Sequence, residues 1–296
     1  RALAIVTGYF GDRLAATLAR YGAEVERLNV EWGRAVDPAL VAAALGRADR
    51  PFDLVAIVHA ETSTGVLNDV AEIARLARQH DALTIVDAVT SLGAMPLEAG
   101  AWGLDACYSC SQKGLGAPSG LAPLTFSRRA LERRVRSRSF YFDLELLEEY
   151  WLRRKYHHTI SAPLVYALWT ALGEVEEEGL EARWARHEGV HQALVRSLER
   201  IGLSLFTREG ERLWSLNAVA IPEGIDDLPV RKALLESHQI EIGGGLGPLA
   251  GRIWRLGLMG SGATEANVSR VAHALNDVLA PQRSAGAPMK ELKGRV

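Results

Sequence analysis

Leu83-Thr84-Ile85-Val86-Asp87 and, 26 positions beyond its last residue, Lys113 inside Ser109-Cys110-Ser111-Gln112-Lys113-Gly114-Leu115-Gly116-Ala117-Pro118-Ser119-Gly120 are the stretches on which the fold turns. The first is an apolar, β-branched run closed by an acid, the pattern of a buried strand. The second is a loop in which Gly114, Gly116, Pro118 and Gly120 shape the backbone around a lysine, directly after a short strand pattern at residues 106–109. Outward from this pair, residues 3–6, 54–58 and 124–126 read as further strands. Residues 12–21 read as a helix with Leu14, Leu18 and Tyr21 on one face. Asn68 or Asp69 can cap another helix, with Val70, Ile73, Ala74 and Ala77 as its stripe and Glu72 completing a capping-box-like start. Strands separated by helices predict βαβ units: an α/β fold with a mostly parallel central sheet flanked by helices. Ligands in such sheets sit at the carboxyl ends of strands, and Thr62, Asp87 and Ser111-Gln112-Lys113 fall at those ends.

The second half has a different rhythm. Residues 164–201 turn helical, with Leu168, Leu172, Val175, Leu194 and Leu198 on apolar stripes. Strand patterns follow at 203–206, 216–221 and 253–258, then a helix over 264–279 capped by Thr264. This predicts a smaller α+β C-terminal domain. The expected division is a large domain over residues 1–178, a small one over 179–281, and a disordered Pro-, Gly- and Lys-rich tail over 282–296. Six arginines between 128 and 138 read as a solvated helix face, since no aromatic residues interleave with them.

Composition narrows the classes. The 296 residues are 48% hydrophobic and 24% charged, with a net charge of −2. That balance predicts no nucleic-acid partner and no membrane association, and no run of eighteen apolar residues suggests a span. The two cysteines, Cys107 and Cys110, lack companion ligands at metal spacing, so no metal site is expected. Cysteine this sparse suits a reducing cytoplasm. The chain opens at Arg1 straight into a strand pattern, as though a domain began further upstream.

Singly, an acid at a strand end or a lysine in a loop says little. Together and in order they resemble the class V aminotransferases, fold type I of the pyridoxal-phosphate (PLP) transferases, and particularly the alanine–glyoxylate and serine–glyoxylate branch. Ser109 to Gly120 is similar to that family's lysine motif, and the resemblance runs from about Gly8 to about Leu279. It implies that Lys113 forms a Schiff base with PLP and that Asp87 faces the pyridine nitrogen. Val89 would pack beneath the ring, Thr62 would contact the cofactor, and Gln112 would bond its phosphate. Tyr156 and Thr159, in Tyr156-His157-His158-Thr159, would reach the partner subunit's phosphate in a homodimer. Arg255 would clamp the carboxylates of amino acid and 2-oxo acid substrates.

The implied reaction is a ping-pong transfer from alanine or serine to glyoxylate. A serine–pyruvate activity is the neighbouring alternative. The family also carries a phosphate cup, a ring-stacking aromatic and an amino-terminal arm ahead of the region matched here. Cys110 stands where it usually has Gly or Ala. A lyase or desulfurase would need a mobile loop cysteine, whereas Cys107 and Cys110 precede the lysine on a strand pattern. A PLP-fold dimerisation module without catalysis is the remaining rival, separated from the enzyme by whether the protein binds PLP and responds to L-alanine.

Overall fold

A computed structural model describes residues 1–284. β1 (Ala2–Val6), β3 (Leu54–Val58) and β6 (Leu83–Asp87) form the middle of a six-stranded sheet. β2 (Val25–Asn29) flanks β1, and β7 (Ala106–Tyr108) and β8 (Leu124–Phe126) continue beyond β6, giving the order β2-β1-β3-β6-β7-β8. All neighbours run parallel except β8, which is antiparallel to β7. The central strands are apolar at nearly every position because helices cover both faces. Helices α1 (Tyr9–Arg20), α2 (Pro38–Gly46) and α3 (Val70–Gln79) supply the crossovers. α3 carries the expected stripe, and Asp69 caps it by accepting from the Glu72 N–H at 3.0 Å. A two-stranded ribbon, β4 (Ala60–Glu61) and β5 (Val66–Leu67), follows β3.

Beyond β8 come α4 (Arg128–Glu132), α5 (Leu144–Arg153) and α6 (Ala162–Glu178). The expected helical run from 164 to 201 is broken once, at Gly179, whose φ of 80° lies in the left-handed region that favours glycine. α7 (Leu180–Arg200) then leads into a three-stranded antiparallel sheet ordered β10-β11-β9, from β9 (Leu216–Ala220), β10 (Gly243–Gly244) and β11 (Ile253–Gly257). α8 (Asp227–His238) and α9 (Glu265–Ser284) pack with α7 against it. Trp254, Leu194, Leu198, Leu234 and Leu275 are fully buried in this second core, separate from the Leu3, Ile57 and Ile73 core of the large sheet. Thr264 caps α9 through the Asn267 N–H.

Two sequence expectations are corrected here. Residues 203–206 form only a bridge from Leu205 to Val219, and just beyond it the Thr207 hydroxyl donates to the Thr64 carbonyl. The arginine-rich helix is shorter than its charge run, and Arg129 is not on a solvated face. It turns inward to within 2.9 Å of Asp105, a carboxylate with 1% exposure that also accepts from the Thr84 N–H and the Ser127 hydroxyl. A buried carboxylate requires such partners. Of the tail expected over 282–296, residues 282–284 close α9, and residues 285–296 lie outside the described residues. Among the described residues, no helix is long and apolar enough to cross a membrane.

Candidate active site

β6 and β7 lie side by side with Asp87 opposite Tyr108, so the loops leaving both strands emerge on one edge of the sheet. Asp87 ends β6 and is 8% exposed. Its Oδ1 accepts from the Val89 N–H at 2.9 Å and its Oδ2 from the Tyr108 hydroxyl at 2.7 Å. Burial raises its pKa above the usual carboxylate range, while these two bonds and the Arg13 guanidinium pull it back. A carboxylate has about four acceptor positions, so two occupied ones leave room for a further donor.

Lys113 sits half-buried in the loop after β7, next to exposed Gln112. The loop is fixed by Ser111, whose hydroxyl donates to the Pro118 carbonyl at 2.6 Å and whose N–H donates to the Leu121 carbonyl at 3.0 Å. The Asp87 and Lys113 loops touch. A Cβ on Gly114 would lie 2.2 Å from the Leu92 carbonyl oxygen, so only glycine permits that approach. Cys110 lies in the electrostatic field of both Lys113 and Asp87, and burial raises its thiol pKa.

The ribbon after β3 brings a third group. Thr62 is buried in its turn. Glu61, fully buried, accepts from the Gly11 N–H at 2.9 Å, the Phe10 N–H at 3.4 Å and the Ser63 hydroxyl at 2.6 Å, and so closes the amino end of α1. Burial raises the Glu61 pKa against those bonds. Arg255, on β11 and half-buried, donates through Nε to the Gly244 carbonyl at 2.7 Å. Burial lowers its pKa, and the charge of the Glu61 carboxylate opposes that.

Asp87 and Val89 lie on one loop and Gln112 and Lys113 on the other, and the two loops touch; Thr62 lies in the ribbon's turn and Arg255 on β11. Tyr156 and Thr159 stand apart on the exposed segment between α5 and α6, their hydroxyls 3.2 Å from each other. Two groups were not foreseen. Tyr108 reveals itself only through the β6–β7 register. Phe10 packs with Leu14, Val58 and Ile85 at the start of α1, and Val58 stands opposite Asp87 across β3 and β6. Its signal was its position in Gly8-Tyr9-Phe10-Gly11 after β1.

These residues fit PLP: a buried carboxylate with spare acceptor capacity for the pyridinium, a nearby lysine on a glycine-shaped loop, and hydroxyl and amide donors for phosphate. Among the described residues, no group of three or more His, Cys, Asp or Glu side chains is placed to hold a metal ion.

Comparison with known proteins gives the same assignment. The family description "Aminotransferase class-V" matches residues 6–249. The chain is 37% identical over 284 residues to the alanine–glyoxylate aminotransferase of Drosophila melanogaster, covering 93% of this chain and 72% of that protein. It is 38% identical to the (S)-ureidoglycine–glyoxylate transaminase of Bacillus subtilis, covering 93% and 71%. Its fold superposes on the crystal structure of an alanine–glyoxylate aminotransferase from Nostoc sp. with a TM-score of 0.91 and 44% identity, over 94% of this chain and 74% of that one. The lysine loop, the acid beside it and these similarities together establish that the chain belongs to the class-V aminotransferases.

Proposed function

We propose that the protein is a PLP-dependent aminotransferase that moves the amino group of alanine, or of serine, to glyoxylate, with Lys113 as the covalent holder of the cofactor. One observation carries this reading: Asp87 and Lys113 occupy loops that leave adjacent parallel strands on one edge and touch at Gly114. When bound, PLP supplies an electron-accepting ring. Asp87 holds the proton on the ring nitrogen, because its buried carboxylate offers a counter-charge where water cannot. Lys113 would hold the cofactor through its Nζ and, when free of it, would move a proton at the substrate α-carbon. Gln112 would hold the phosphate, Thr62 would contact the cofactor, and Val89 would pack beneath its ring. Arg255 orients both the amino acid and the 2-oxo acid through a bidentate grip on their carboxylates.

The same reading makes the active unit a homodimer in which Tyr156 and Thr159 serve the neighbour's phosphate, divides the chain at residues 178/179, and suits a cytoplasmic setting. The relatives from Drosophila melanogaster and Bacillus subtilis, both named for glyoxylate, support the acceptor. The test is spectroscopic. PLP added to the protein should give an absorbance band near the visible edge that shifts with L-alanine and returns with glyoxylate. A band that no amino acid moves, or no band, contradicts the proposal. Turnover with serine and pyruvate but not glyoxylate would favour the serine–pyruvate alternative.

A further inference from the structure

Glu178, Arg183, Arg186 and His187, around the start of α7, form a node to which three backbone segments are tied. Arg183 is 4% exposed. Its Nε donates to the Gly93 carbonyl at 3.0 Å and its Nη2 to the Gly114 carbonyl at 2.8 Å. Its Nη1 donates to Glu178 Oε2 at 2.6 Å. Gly93 lies six residues beyond Asp87, and Gly114 adjoins Lys113. The two glycines meet directly, since a Cβ on Gly93 would stand 3.2 Å from the Gly114 carbonyl.

The third segment is the one beyond Arg255. Arg186, also held by Glu178 at 2.5 Å, donates to the Gly260 and Ala263 carbonyls at 3.1 and 2.8 Å. His187 Nε2 accepts from the Gly260 N–H at 3.1 Å, and its Nδ1–H donates to the Arg183 carbonyl at 2.8 Å. A Cβ on Gly260 would lie 3.2 Å from Gly116 Cα and 3.4 Å from the Lys113 carbonyl.

We infer that Arg183 is a positioning residue for the reaction: its planar guanidinium bolts the backbone beyond Lys113 to the backbone beyond Asp87 and fixes the amine relative to the acid. A guanidinium can do this because its donors are rigidly forked, so one side chain sets two carbonyls at a fixed separation while its charge is met by Glu178. Lysine, with one flexible ammonium, reaches either carbonyl but does not impose their spacing. Displacing reacting groups by about 1 Å costs on the order of a hundredfold in rate, so a clamp on the residue next to Lys113 matters to turnover.

This inference rests on the proposed aminotransferase reading. Arg183→Met, Arg183→Lys and Arg183→Ala are compared with the full chain. We expect Arg183→Met to lower kcat about tenfold or more while the KM for alanine stays within about threefold, because the clamp acts on geometry rather than on substrate binding. Arg183→Lys should fall between, and ethylguanidinium should restore part of the turnover of Arg183→Ala without affecting the parent protein. Hydrogen–deuterium exchange on cofactor-free protein should rise in residues 112–117 and 91–95. If Arg183→Met does not fold, the Lys variant is read by the same kcat–KM split. Variants that lower Tm yet keep the parent kcat and loop exchange overturn the inference. A parent protein without transaminase activity sinks the aminotransferase reading instead, and loop exchange then tests the clamp alone.

Discussion

Tyr108 donates its hydroxyl hydrogen to Asp87 Oδ2 at 2.7 Å, across the parallel pair β6–β7. This bond and the Val89 N–H offset part of the burial that raises the Asp87 pKa. Asp87 pushes the Tyr108 phenol upward in turn, after burial as the larger cause. A raised phenol keeps its proton, which it donates to Asp87. Tyr108→Phe removes that donor, so the Asp87 pKa should rise further and the acid limb of turnover should move to higher pH. At neutral pH kcat should fall about tenfold, the size of one lost bond to a charged group. A pH–rate profile identical to the parent would show that Tyr108 does not act on the acid.

Arg255→Lys should raise the KM for alanine and for glyoxylate together by about tenfold or more, since an ammonium cannot grip a carboxylate bidentately. Trp254 beside it packs in the small-sheet core, so Arg255→Lys should leave Tm within a few degrees. An unchanged KM for both substrates would place the carboxylate elsewhere.

Acid should weaken the fold through His59. Its ring is 4% exposed, its Nδ1 lies 2.9 Å from the Ser91 hydroxyl, and burial pushes its pKa down to about 4. Above pH 6.5 the ring is neutral both folded and unfolded. Between 6.5 and 4 the unfolded chain takes up a proton that the folded one refuses, so stability falls as pH drops through this window, by roughly 3 kcal/mol in all. Urea unfolding at pH 7 and pH 4.5 should reveal the loss, and His59→Gln should flatten it. A pH-independent midpoint in the parent would contradict it.

The parts of the fold legible in the sequence were those whose residues have one job. β3 is an unbroken apolar run, buried but for its first residue, and β6 is apolar except at Thr84 and the closing Asp87. α3 has one dry face and a side-chain cap. β2 escaped because it is an edge strand, Val25-Glu26-Arg27-Leu28-Asn29, with apolar residues three apart. α2 escaped because alanine and leucine fill it without an amphipathic period, leaving Asp37 and Pro38 as its start signal. In the candidate site, Lys113 and Asp87 stand out in the sequence because glycines and a strand end mark them. Tyr108 and Arg183 do not, because a side chain's partner across a sheet or from another helix is fixed by tertiary packing and leaves no local pattern.

Shared sites should show as complementation. A Lys113→Ala chain mixed with a Tyr156→Phe, Thr159→Val chain should regain activity, since a mixed dimer holds one pocket without either lesion. Tyr156 is 76% exposed, as a residue lent to a neighbour would be. Subunits that exchange yet stay as inactive as either parent would refute sharing.

The central claim is that Lys113 holds the cofactor. The chain has five lysines, Lys113, Lys155, Lys232, Lys290 and Lys293, so reductive trapping can be mapped without ambiguity. The protein is incubated with PLP, reduced with borohydride, digested, and its pyridoxyl-labelled peptides are sequenced. The account predicts the label on Lys113, lost when L-alanine precedes reduction. A label on any other lysine, or a Lys113→Ala protein that still traps PLP to the same extent, would contradict it.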